Sequence, residues 1–509
     1  MKSNLKLVLS LLLLFSLTVL TLISCQSTYG NTNPTQSQSA DGQTLADSEL
    51  EQTTEPPEFT PDDGVDYGGY KFRILGYDGE ATGTWQIAAI SEIIAEEEIG
   101  EPIHDAFYRR NRQVEALYNI EFGIVPVTYP NRGDFDTKFR KAVMAGDDQF
   151  DSAFMLGSSI PTALSRKDAA YDLSDIPALD LTKSWWDQNS VKDMSIGGTL
   201  SAVIGDVNFY SAIAPLVLYT NKKLMRENEA GDLYQLARDG KWTWDVMYSI
   251  SKNVTKDLNG DGAITQDDQI GLAYQANNLF EAVNSAGEYI TPKNTNDIPE
   301  YAPNMDRIAG IVEKVATFFR DKNASLSSED IKGVDSVFFG FIMPKFRDNE
   351  IMFNVFQLLF SFELRSMEAD FAILPFPKYD ENQKNYNSIL SAAWSTFTVI
   401  PTTCSDVERA AAILQAMGYY SQQYVMPAYY DITVTNKLLR DDDAAEMMDI
   451  ILKNRVIDLA ALYNWGDLYN VFLGIARSGD YGTLVSQLEK TEPKINKAIE
   501  KTLSELEGG

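Results

Sequence analysis

The chain opens with an uncharged, mostly leucine run at residues 7–23, preceded by a basic stretch carrying Lys2 and Lys6. That order, charge then apolar core, predicts a secretory signal. From Gln26 to about Gly64 the apolar pattern disappears. Ser, Thr, Gln, Asn, Pro, Asp and Glu dominate there, and such a stretch predicts a disordered stalk. Periodicity returns near Tyr67. Residues 70–75 alternate and predict a strand, 104–117 a helix, 120–127 a strand, 134–145 a helix and 150–156 a strand. Residues 213–219 and 371–375 predict further short strands. Strands alternating with helices predict an α/β fold with a parallel sheet and helical crossovers. The folded part, roughly 440 residues, is too long for one core and predicts two lobes. No internal repeat of fixed period is visible.

Charge changes the picture next. The chain carries a net charge of −30, and acids outnumber bases 73 to 43. Phosphate backbones require Lys and Arg, so this balance excludes a nucleic-acid partner. It also keeps the domain from lying on anionic lipid. Leu22, Ile23, Ser24 and Cys25 resemble the lipobox of bacterial lipoproteins, with a small residue before the cysteine. The resemblance implies a signal peptide over 1–24, cleavage before Cys25, and a diacylated Cys25. Two acyl chains suffice for stable anchoring at the extracytoplasmic face of a membrane. Residues 25–65 are then the stalk. Cys404 is the only other cysteine, so no disulfide forms within the mature chain, and its thiol is expected to be a buried hydrophobe.

The sharpest local motif is residues 257–268. Oxygen-bearing side chains fall at loop positions 1, 3, 5 and 12: Asp257, Asn259, Asp261 and Asp268. Gly262 stands at position 6, where the backbone must turn sharply. Ala263 can offer its carbonyl and Thr265 its hydroxyl. This spacing wraps hard oxygens around one point, as calcium requires. The expectation is a structural calcium ion, with the short Asp268 in place of the usual glutamate. A Gly/Asp/Asn-rich surface turn that binds nothing is the alternative.

Catalytic constellations are sparse. One histidine is present, His104, beside Asp105 in the first predicted helix, and it is expected to be structural. No Gly-x-Ser-x-Gly elbow, zinc-ligand cluster, Walker loop or dinucleotide fingerprint occurs. Acidic pairs are plentiful, which leaves a surface polysaccharide hydrolase as the enzyme alternative. The acidic runs at 96–98 and 441–443 read as solvated faces. The primary expectation is a protein that is not an enzyme.

Several segments carry a wider resemblance. They are residues 106–119, Leu218 to Leu224 with Asn221 and Lys222, the Lys241-Trp242-Thr243-Trp244-Asp245 segment, residues 370–378 and residues 399–401. In this order and spacing the chain, from about 67 to 506, resembles the extracellular solute-binding proteins, family 1, that serve ABC importers for carbohydrates. The resemblance implies a periplasmic-binding-protein-like fold, two α/β lobes joined by hinge strands with a ligand cleft between them. Hinges fall near 210–214 and 394–398. Residues 66–212 and 397–440 form one lobe, and 213–396 and 441–509 the other. It further implies a monomer that captures a sugar or oligosaccharide by lobe closure and docks on an ABC permease. A sensor that presents ligand to a membrane kinase is a third reading.

Sugar sites set aromatic faces against pyranose C–H groups, with carboxylates, amides and guanidinium on the hydroxyls. The candidates on strand-end loops are Trp85, Ser158, Trp186, Asp206, Tyr210, Arg365, Trp394 and Trp465. Each Trp has a plain alternative as a core filler. Trp242 and Trp244 are assigned to the core, packing under a helix that Thr243 caps.

Overall fold

The computed structural model describes residues 59–60, 64–78, 91–128, 132–166, 168–364, 367–435 and 442–507. The signal segment, Cys25, most of the stalk, Trp85 and Arg365 lie outside the described residues. The chain divides into two compact units, Met1–Pro56 and Pro57–Gly509, and everything below concerns the second.

The strands are, in chain order, β1 Tyr70–Tyr77, β2 Ile120–Val127, β3 Ser152–Leu156, β4 Leu216–Asn221, β5 Ile270–Tyr274 and β6 Ser325–Ser327. They continue with β7 Ile351–Gln357, β8 Phe371–Leu374, β9 Ser388–Ile389, β10 Thr396–Val399 and β11 Arg455–Val456. One sheet has the order β10-β3-β1-β2. In it β1 pairs in parallel with β2 and β3, while β10 runs antiparallel to β3. A second sheet has the order β6-β5-β7-β4-β8, with β5 parallel to β6 and β7, and β4 antiparallel to β7 and β8. These two sheets are the cores of the two α/β lobes.

Local chemistry explains the boundaries. Helix Pro102–Tyr118 carries the crossover from β1 to β2. Glu101 caps it by accepting from the His104 amide, and Asn119 ends it in the left-handed region at φ 50°. β3 begins at Ser152 rather than at Phe150. The Asp151 carboxylate is occupied by the Tyr70 hydroxyl at 2.6 Å and by the Arg73 backbone amide at 2.7 Å, which fastens the start of β3 to β1. The expected strand at 213–219 is displaced. Residues Phe209–Ile213 are helical and the strand starts at Leu216. Pro215 stands between them, and without an N–H it cannot extend a helix. Thr243 caps helix Trp244–Val254, and Trp242 and Trp244 are buried beneath it. Cys404 is buried.

Among the described residues, strands of the two sheets are linked along the chain at two neighbouring places, and a further passage, between the helix ending at Thr435 and helix Asp442–Lys453, lies outside them. Residues before β4 lead out of the first lobe, and residues before β10 lead back. The two crossings are paired: Pro215 bridges Leu390 antiparallel, the Ser391 amide donates to the Ala214 carbonyl, and the Ser211 hydroxyl donates to the Thr396 carbonyl.

Phe59 departs from the expected disorder of 25–65. Its ring stacks on Tyr419 at 4.9 Å and meets Trp185 edge-on at 6.0 Å. In a stretch with few apolar side chains it is one that can be buried. Among the described residues no helix is long and apolar enough to cross a membrane.

Candidate functional site

A cavity of about 550 Å³ opens between helices that lean on different lobes. The turn Ser421–Val425 and the helix after it pack on helix Pro102–Tyr118 of the first lobe. Helix Asp442–Lys453 packs on β8 of the second.

Trp186 forms one wall. Its backbone bridges Gly205, and its indole N–H donates to the Gln415 side chain at 2.7 Å. A Cβ at Gly205 would stand 2.6 Å from the indole, so only glycine lets the ring lie there. Trp186 is 1 % exposed. A stacking platform needs a free face, so the expectation for Trp186 is corrected: it shapes the wall and offers no ring face to a ligand.

Asp187 is used twice. It caps helix Gln188–Met194 by accepting from the Ser190 amide at 2.7 Å, and it pairs with Arg455 at 2.5 Å. Arg455 is held by the pairing of β11 with β9. Its Nε is buried without a partner. Asp206 lines the same cavity, its backbone fixed by the Trp185 carbonyl. Burial pushes its carboxyl up to about 7, with Arg455 and the Gln422 amide pulling down. Gln422 donates to it at 3.1 Å. Tyr430 contributes a partly exposed ring, its hydroxyl pushed up to about 12 by burial and by Asp449. The wall thus mixes carboxylate, guanidinium, amide and phenol around a space of ligand size. Sequence reasoning missed Gln422, Tyr430 and Arg455.

Three other expected residues gather elsewhere, where β3 ends and β10 begins. Open α/β sheets bind ligands at such strand ends. The Ser158 amide donates to the Ala392 carbonyl at 2.8 Å. Trp394 is partly exposed and meets Phe360 edge-on at 5.9 Å. The Tyr210 amide donates to Glu92 at 3.0 Å. Burial raises the Glu92 carboxyl to about 7, opposed by the amides of Tyr210 and Phe209, by Thr396 and by Arg110. Glu92 therefore touches both crossings.

Trp465 joins neither group. It is 3 % exposed, stacks on Tyr463 at 5.1 Å and donates to the Thr502 hydroxyl at 2.9 Å. The expectation of a cleft platform is corrected to a core residue. Gly466 beside it presses on Ile495, where a Cβ would stand at 2.5 Å.

The 257–268 loop is closed at its base by a bridge between Lys256 and Gln269. Asp257 accepts from the Gly260 and Gly262 amides, Asn259 from Asp261, and Asp261 from Ala263. Asp268 accepts from Leu258 and Thr265. Burial works against its charge, but these donors hold its carboxyl below the usual range. Gly262 has φ 86°, as the sharp turn requires. The donor set is all hard oxygen and fits calcium in type. Among the described residues, no three His, Cys, Asp or Glu side chains gather as a metal-holding group.

Two α/β lobes joined by paired crossings define a periplasmic-binding-protein-like fold. Residues 109–327 match the family model of bacterial extracellular solute-binding proteins. Among solved structures, it is similar to the sugar-binding protein MalE from the phytopathogen Xanthomonas citri. Identity is 13 % and the TM-score 0.56, over 86 % of this chain and 100 % of that one. A cyclo/maltodextrin-binding protein complexed with maltotetraose is similar at 12 % identity and a TM-score of 0.55, over 88 % and 98 %. So is the ABC substrate-binding protein Lmo0181 from Listeria monocytogenes in complex with cycloalternan, at 12 % and 0.51, over 85 % and 99 %. At such identities the likeness is one of fold. No curated protein matches the sequence.

Proposed function

We propose that this protein is a membrane-tethered receptor that captures a sugar or oligosaccharide and delivers it to an ABC permease. The observation that carries this reading is the cavity of about 550 Å³ between elements of the two lobes, lined by Asp206, Arg455, Gln422 and Tyr430. Carboxylate, guanidinium and amide suit hydroxyls, and a phenol ring suits a pyranose face. The solved relatives named above support the choice of sugar, since two of them were captured with oligosaccharides. Residues 1–24 serve as the signal peptide in this reading, and a diacylated Cys25 holds the receptor beside its permease. Ligand energy would then shift a two-state equilibrium between open and closed lobes.

The test is a thermal-shift screen across neutral, amino and acidic glycans. A ligand at a hundred times its Kd is expected to add about 2.7 kcal/mol of stability. Stabilised glycans are expected to come back uncleaved from long incubation. Stabilisation by peptides alone, with every glycan silent, would overturn the carbohydrate reading.

The same proposal includes a structural calcium ion in the loop of Asp257, Asn259, Asp261, Ala263, Thr265 and Asp268. Calcium addition is expected to raise the melting temperature and chelation to lower it. Identical melting curves in calcium and in chelator would remove the ion from the account.

A further inference from the structure

We infer that the ligand of the interlobe cavity is an amino sugar, with its protonated amine on the Asp206 carboxylate. This rests on the sugar-binding reading above and narrows it. The cavity wall carries three carboxylates, Asp187, Asp206 and Asp449, against two cations, Lys453 and Arg455. Two of the carboxylates already have cations. Asp187 pairs with Arg455, and Asp449 faces Lys453 at 3.9 Å on one helix. Asp206 differs. Among the described residues its carboxylate accepts one hydrogen bond, from Gln422, and has no cation within ion-pair distance; Arg455, already paired with Asp187, acts on it only from farther off.

A carboxylate so enclosed is costly to ionise without a partner. A neutral glycan leaves that charge uncompensated, and an acidic one adds to it. An ammonium group removes the difficulty, supplying a positive charge and three N–H donors to one small region. The remaining wall asks for oxygen. Among the described residues the buried Arg455 Nε is a donor without an acceptor, and the Gln422 amide, which gives one N–H to Asp206, has a second to offer. A pyranose offers ring and hydroxyl oxygens next to its amine, and a C–H face for Tyr430. A simple diamine offers only the cation. The amino sugar is the class that meets all of these demands together.

The experiment is calorimetric titration of the intact protein with a glucosamine oligosaccharide, its N-acetylated counterpart, maltotetraose and a linear diamine, at pH 7 and pH 5.5. The free amine is expected to bind about a hundredfold tighter than the acetylated form, since acetylation deletes a charge that a buried carboxylate needs. With Asp206 poised near 7, its affinity should fall about tenfold at pH 5.5, where that carboxyl is protonated. Asp206→Asn should abolish the preference for the amine. The pH profile of the unaltered protein carries the same information if the variant folds poorly. Equal binding of free and acetylated forms, or a preference surviving Asp206→Asn, overturns this inference and leaves the sugar reading standing. Binding of maltotetraose alone does the same. Binding of the diamine alone overturns both.

Discussion

Trp186→Ala is expected to cost about 3–5 kcal/mol of folding stability, measured by urea denaturation. The indole is fully buried, and its N–H is satisfied by Gln415, which would be left without a donor. The same substitution removes a wall of the interlobe cavity, so ligand binding should weaken with it. The opposite change tests the packing from the other side. Gly205→Ala sets a methyl group 2.6 Å from the ring and 2.7 Å from the Trp185 carbonyl, and should be destabilising alone. Combined with Trp186→Phe, whose smaller ring relieves the first of these clashes but not the second, the two losses should be less than additive. A loss below about 1 kcal/mol in Trp186→Ala, or strict additivity in the pair, would show that the indole does not pack there.

The second large effect is with pH. Burial raises Glu92 to about 7, Asp206 to about 7 and Asp458 to about 6. Between the ordinary carboxylate range and these values, the folded protein holds protons that the unfolded chain releases. Stability must then fall as pH rises through that window and level off above it. Its maximum is expected near pH 5 rather than pH 8. Glu92 alone accounts for about 3 kcal/mol of the fall, a magnitude set by the distance between its two values. Glu92→Gln should flatten the slope between pH 5 and pH 8 and leave stability near pH 4.5 almost unchanged. Stability that rises from pH 5 to pH 8 would contradict the burial of these groups.

The first lobe was readable along the chain because its signals are local. Alternation marks β1 and β2, and a 3.6-residue period marks helix Pro102–Tyr118. Thr243 announces a helix start by its own hydroxyl. The candidate site was not readable in the same way. Asp187 meets Arg455 and Trp186 meets Gln415 across more than two hundred residues, and no local pattern links such pairs. Tryptophans on loops misled for a related reason. Whether an indole keeps a free face depends on what covers it, and the covers of Trp186 and Trp465 come from Gly205, Gln415 and Thr502. Asp206 was legible as a polar residue approaching a crossing. Its lack of an ion-pair partner was not, since that depends on where Arg455 and Lys453 make their own pairs. The antiparallel direction of β4 and β10 was hidden too, because direction follows from the crossings rather than from residue type.

Those paired crossings have a mechanical meaning. A single connecting strand would act as a swivel, free to twist and tilt in every direction. Two strands bonded side by side form a ribbon. Shear along the ribbon would break the Ser391–Ala214 and Ser211–Thr396 bonds, and splaying would break the bridge between Pro215 and Leu390. Bending out of the ribbon plane breaks none of them. Were the two halves to move against one another, as the proposed capture of a ligand requires, this ribbon would favour a swing about one axis, like a door on two pins. The path between two extreme positions would then be nearly the same each time it was travelled.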